Sequence, residues 1–150
     1  MSDKQFCRFQ RANFCVEDIA RSLTFYRDVL KFEVTFEKGH NPESYSFPVF
    51  EIPSDAKIAF AILSLPNQPR VFALSEIKGV NWADHPRPRR SAIVLDIADC
   101  DAVMAGARAL GLQVYEEGEL QTHDGRLGRE IGIVDFDDNL VVIYTIQDAQ

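Results

Sequence analysis

The chain has 150 residues, of which 46% are hydrophobic and 11% aromatic, enough apolar surface for one domain with a sizeable core. Sixteen Lys and Arg against 23 Asp and Glu give a formal charge of −7 and a pI near 4.9, which disfavours nucleic acid as a partner. No apolar run approaches the roughly 20 residues that cross a bilayer, and residues 1–8 lack the apolar stretch of a signal peptide, so a cytoplasmic protein with no membrane partner is expected. Cys7, Cys15 and Cys100 are odd in number, widely spaced and free of Cys-x-x-Cys pairing, which argues against a disulfide framework or a zinc knuckle.

Residues 11–17 alternate, with Ala12, Phe14 and Val16 on one apolar face, and predict a half-buried strand. From Asp18, a competent N-cap, the period changes: Ile19, Leu23, Tyr26 and Leu30 recur at helical spacing. Phe32-Glu-Val-Thr-Phe alternates again. After the His40-Asn-Pro-Glu turn, two more strands are predicted at Tyr45–Ile52 and Lys57–Leu65.

The second half repeats this order. Ile93, Leu95 and Ile97 alternate, Asp99 stands 81 residues after Asp18, and Val103, Ala107 and Leu110 form the stripe of a second helix. Gly111 suits a left-handed cap after that helix, and Lys31 occupies the corresponding place in the first half at some conformational cost. The chain leaves through Leu112-Gln-Val-Tyr into a strand. Two final strands, Gly128–Val134 and Leu140–Ile146, flank the hairpin turn Asp135-Phe-Asp-Asp-Asn. The expected fold is α+β: one domain over 1–150 built from two tandem βαβββ modules in a curved, cleft-enclosing mixed sheet. Module one spans about 6–70, the crossover about 71–90 and module two about 91–147.

Val16-Glu-Asp-Ile-Ala-Arg-Ser-Leu-Thr-Phe-Tyr-Arg-Asp-Val-Leu resembles the opening strand and helix of the vicinal oxygen chelate superfamily, which contains glyoxalase I, bleomycin resistance proteins and extradiol dioxygenases. Asp135-Phe-Asp-Asp-Asn-Leu-Val-Val-Ile resembles that family's Asp-Pro-Asp-Gly-Asn turn and last strand, with Phe136 for Pro and Asp138 for Gly. The resemblance implies a divalent ion held by four side chains, one from the first and one from the last strand of each module. It carries those positions to Arg11, Ala92 and Val142, with the fourth at Phe60 or Ala61 in Lys57–Leu65. None is a metal ligand, and Arg11 would repel a cation, so no metal and no cofactor is expected. His40 and His123 read as turn residues and His85 as a crossover residue; Thr122-His-Asp-Gly has no metal-ligand spacing.

Strand parity places Arg11, Asn13 and Cys15 opposite the core face of the first strand, Asp96 opposite that of the fifth, and Glu130, Leu140 and Tyr144 on the corresponding face of the last two. The expected ligand-binding residues are therefore Arg11, Asn13, Phe60, Asp96, Glu130 and Tyr144. One reading has Arg11 paired internally with Asp96 or Glu130; the other has it receive a ligand carboxylate or phosphate. Two functions follow from the resemblance. One is a metal-free binding protein, akin to the bleomycin resistance branch, that takes a planar or cationic small molecule in a groove between the subunits of a homodimer. The other is a lyase, isomerase or dioxygenase-type enzyme with Glu130, Asp96 and Tyr144 as acid/base candidates and Arg11 and Asn13 stabilising an oxyanion. Arg87–Arg90 reads as a solvated connector and Trp82 as a packing or subunit-contact residue.

Overall fold

The computed structural model of the protein describes residues 4–147. Module one runs β1 (Ala12–Val16), α1 (Ile19–Tyr26), β2 (Glu33–Lys38), α2 (Ser46–Val49), β3 (Lys57–Leu65) and β4 (Gln68–Lys78). Module two runs β5 (Ile93–Asp96), α3 (Cys100–Ala109), β6 (Gln113–Val114), β7 (Gly118–Gln121), β8 (Leu127–Val134) and β9 (Leu140–Ile146). The architecture is α+β, and each module builds its own mixed sheet: β1-β4-β3-β2, and β5-β9-β8-β6 with β7 also on β8. In both, the first strand lies parallel to the last while the other neighbours are antiparallel.

The duplicated helices start and stop as their sequences dictate. Asp18 Oδ1 accepts from the Arg21 amide at 3.1 Å and Asp99 Oδ1 from the Ala102 amide at 3.0 Å, each satisfying a first-turn donor. Beyond the helices, Gly111 has φ 78° and Lys31 φ 68°, so the first module carries a lysine where the second uses glycine. A left-handed non-glycine residue costs on the order of 1 kcal/mol.

Two expectations fail here. Tyr45–Ile52 is not a strand: Pro48 cannot donate to a ladder, and in the short α2 it takes a first-turn place where no N–H is required. The fourth strand of module one is instead β4, so the module runs to Lys78 and the crossover begins after it. β4 escaped the alternation rule because it lies between β1 and β3, and Phe72, Ala73 and Leu74 are consecutively buried. In module two, β6 and β7 both pair with β8 and act as one edge strand interrupted at residues 115–117.

The core is continuous across the modules. Phe14, Val16, Leu23, Phe25, Tyr26 and Phe72 form one cluster with Val103, Met104, Ala107, Ile131, Ile133, Val141 and Ile143. The hairpin turn of module two plugs the β1–α1 corner of module one. Buried Asp135 accepts from the Tyr26 hydroxyl at 2.7 Å, Asn139 Nδ2 donates to the Cys15 carbonyl at 3.2 Å, and Asp137 Oδ1 accepts from the Glu17 amide and from Arg21 at 3.0 and 3.1 Å. No helix among the described residues is long and apolar enough to cross a membrane.

Candidate functional site

The sheet of module one presents a second face away from the core. Cross-strand register sets Asn13 beside Ala73 and Ile62, and Cys15 beside Ser75 and Phe60. Between this face and the α2 segment lies a cavity of about 450 Å³, within the range of small-molecule sites. Phe36, Phe50, Phe60 and Ile62 wall it, and Arg11, Asn13, Arg70 and Ser75 supply most of its polar lining.

The polar groups are held in place. Ser75 Oγ donates to Asn13 Oδ1 at 2.7 Å, and Asn13 Nδ2 approaches Cys15 Sγ at 4.0 Å. Burial pushes the Cys15 thiol up, against the Asn13 hydrogen bond, which keeps it from acting as a thiolate nucleophile at neutral pH. Arg11 Nη1 donates to the Arg70 carbonyl at 3.3 Å, and the Arg70 guanidinium stands 6.0 Å from the Phe36 ring centre. Glu76 also reaches the cavity, but its Oε2 accepts from the Ile19 amide at 2.9 Å and so serves the start of α1. Among the described residues neither Arg11 nor Arg70 is in an ion pair.

Arg11, Asn13 and Phe60 are thus brought together, and of the two readings for Arg11 the internal pair with Asp96 or Glu130 is not formed. Arg70 is a residue that the sequence reading missed, because β4 was not recognised and nothing in Gln68-Pro-Arg-Val announces a left-handed arginine.

The module-two candidates lie elsewhere. Register places Asp96, Tyr144 and Glu130 in a row across β5, β9 and β8, on the face away from the core as parity predicts. Glu130 lines a separate hollow of about 480 Å³ with Arg89, Tyr115, Leu140 and Val142; Asp96 and Tyr144 do not line it. Its arginine is already neutralised: Arg89 pairs with Asp138 at 2.9 Å and Arg87 pairs with the same carboxylate at 3.0 Å. The Arg87 hydrogen bond, with Arg89 and the His85 amide, holds the Asp138 carboxyl well below the usual range. Arg87 and Arg89 thus clasp the hairpin turn through Asp138, while the segment they sit in stays largely exposed and Arg90 takes no part in the clasp. Trp82 lines a third hollow together with Asp84 and Asp137.

The four metal positions can now be tested against the strands. The last strand of module one is β4, so the counterpart of Val142 is neither Phe60 nor Ala61 but Ala73: Ala73 lies opposite Asn13 as Val142 lies opposite Val94. Arg11, Ala73, Ala92 and Val142 offer no lone pair to a cation, so these side chains do not fit a divalent ion. Among the described residues no group of three or more His, Cys, Asp or Glu side chains is placed to hold one. His40 Nδ1 accepts from the Ile58 amide at 3.1 Å, and Asp124 is engaged by Thr122 and Arg126 in the β7–β8 turn.

Known proteins share the fold. Over 99% of both chains the fold is similar to that of a glyoxalase family protein from Bacillus cereus, at 15% identity and a TM-score of 0.74. It is also similar to glyoxalase I from Leishmania major, at 18% identity over 93% of this chain and 86% of that one, with a TM-score of 0.63. A fosfomycin resistance protein from Listeria monocytogenes, solved with Mn(II) and 1S,2S-dihydroxypropylphosphonic acid, matches at 15% identity, 94% and 93% coverage and a TM-score of 0.60. No curated protein matches the sequence. The model of the Glyoxalase/Bleomycin resistance protein/Dioxygenase superfamily matches residues 8–143. With its paired modules and the family model spanning both of them, the chain belongs to that superfamily.

Proposed function

We propose that this protein binds a small organic molecule in the module-one cavity and does so without a metal ion. The observation that carries this reading is a cavity with aromatic walls and fixed polar groups, in a chain whose four metal positions hold Arg11, Ala73, Ala92 and Val142. A binding protein needs no more than such a pocket. The enzyme reading is weaker because Glu130, Asp96 and Tyr144, its acid/base candidates, stand on the other module and do not line the cavity of Arg11.

Elemental analysis of the purified protein is expected to find no stoichiometric zinc, nickel, manganese or iron. Thermal unfolding is expected to shift upward with aromatic small molecules and not with divalent cations, since a ligand selective for the folded state raises its apparent stability. One metal per chain retained through dialysis would overturn the metal-free reading.

The protein is proposed to work as a homodimer. Val94 on β5 is 62% exposed and lies opposite Val142 of β9, an apolar strip on the outward face of the module-two sheet between the charged Asp96 and Glu130. Sedimentation is expected to give twice the chain mass at micromolar concentration; a monomer there would refute the assembly. The three cysteines, free in this fold, suit the reducing cytoplasm.

A further inference from the structure

We infer that the ligand of this cavity is an anion with a planar apolar body, and that its negative head is received jointly by Arg11 and Arg70. The inference rests on the cavity reading above and adds the charge class of the occupant.

The first observation is a bulge. β3 and β4 pair in regular register up to Leu63 opposite Phe72, and then shift, so that Leu65 faces Gln68. The residues in excess on β4 include Arg70, which has φ 59°, in the left-handed region that penalises a side-chain-bearing residue. Glycine would adopt this conformation freely. Buried Ser64 holds the bulge by accepting from the Arg70 amide at 2.8 Å, and its own hydroxyl lies 3.2 Å from that of Thr35. Bulges re-aim side chains, and this one sets the Arg70 carbonyl on Arg11 and the Arg70 guanidinium over Phe36.

The second observation is charge balance. The chain carries seven more acidic than basic side chains, and most other arginines with side-chain contacts pair with carboxylates: Arg21, Arg27, Arg87, Arg89, Arg126 and Arg129. The two at this cavity are given only a backbone carbonyl and an aromatic face. The hollow of module two has its arginine, Arg89 of the crossover, tied to Asp138. Unspent guanidinium donors beside an apolar wall are the complement of a carboxylate or phosphate carried on a planar body. Phe36, Phe50 and Phe60 provide that wall, and the Ser75–Asn13 pair offers further polar contacts.

Titration calorimetry with benzoate, phenyl phosphate and the neutral benzyl alcohol tests this. The anions are expected to bind at least about tenfold more tightly than the alcohol, the scale of a charge-assisted contact, and the better of the two identifies the head group. Arg11→Met and Arg70→Gly should each lose about tenfold or more of the anion affinity and leave benzyl alcohol binding unchanged. Arg70→Gly should also raise the urea midpoint, since it relieves the left-handed backbone. Gain of stability with loss of binding is an outcome that a structural role for Arg70 does not give. Arg126→Met, which removes one positive charge outside the cavity, in the β7–β8 turn, should bind the anions as the wild type does. Equal affinity for alcohol and anions, or full anion affinity in Arg70→Gly, would overturn the charge class while leaving the cavity as a binding site. Absence of binding by all three compounds would overturn the cavity reading and this inference with it.

Discussion

Asp135→Ala is expected to lower the unfolding free energy by about 3–5 kcal/mol, the cost of breaking a buried charged network. Asp135 Oδ1 accepts from the amides of Asp137 and Asn139 at 2.8 and 2.9 Å, and Oδ2 accepts from the Tyr26 hydroxyl and Asn139 Nδ2 at 2.7 and 3.1 Å. Alanine takes an acceptor from all four donors, three of these bonds being buried, and of the four only Asn139 Nδ2 keeps a second partner, the Cys15 carbonyl. Tyr26→Phe removes a single bond and should cost only about 1–2 kcal/mol. The two variants also separate at high pH. Burial, then the charge and hydrogen bond of Asp135, push the Tyr26 phenol well above its usual range. The folded protein keeps this proton while the unfolded chain releases it near pH 10, so the contribution is present below about pH 10 and is lost as pH rises, by up to about 1.4 kcal/mol per pH unit. Urea unfolding between pH 8 and 11 should show that decline in the wild type and a shallower one in Tyr26→Phe. Equal slopes would refute the assignment.

Gly128→Ala is expected to cost about 3 kcal/mol, at the upper end for an overpacked site. Gly128 lies on β8 between Leu120 and Ile146. A Cβ there would run into the Thr145 carbonyl oxygen and come within 2.9 Å of Ile146 Cδ1 and 3.3 Å of Ile146 Cα. The first and last of these are backbone atoms of a paired strand and cannot turn aside. Gly132, four residues along the same strand, is the control: a Cβ would meet the Tyr115 ring at 3.1 Å, and the obstacle there is an exposed side chain rather than the backbone of a paired strand. Gly132→Ala should stay within about 1 kcal/mol of wild type. Chemical denaturation of both variants checks the contrast, and equal costs would show that the Thr145 backbone yields.

The duplication was legible because its signals are local. Asp18 and Asp99 are caps whose side chains act within three residues, and the stripe of α1 buries Ile19, Leu23 and Tyr26 as its spacing requires. The face away from the core was legible from parity alone, which put Arg11 and Asn13 on one sheet and Glu130 and Tyr144 on the other. Their grouping was not. Whether two faces close on one cleft depends on how the modules pack, and that is set by long-range contacts such as Tyr26 with Asp135. β4 was hidden because a strand covered on both faces loses its alternation. Arg70 was hidden because a bulge is decided by pairing register, which no single strand encodes.

The plug of the module-two hairpin into the β1–α1 corner bears on how this chain came to have two similar halves. Phe25, Tyr26 and Leu23 are buried in a cluster to which both modules contribute, and the Tyr26 hydroxyl finds its acceptor on the other module. A half-length polypeptide with this sequence pattern would expose that surface to water and strand that hydroxyl. It would be a stable object only as one member of a pair. The two halves therefore stand to each other as subunits do, with the crossover acting as a tether that fixes their local concentration and makes their association independent of dilution. Freed from the need for self-recognition, each half could diverge on its own: one came to carry unspent arginines at its cavity, the other an arginine clasp.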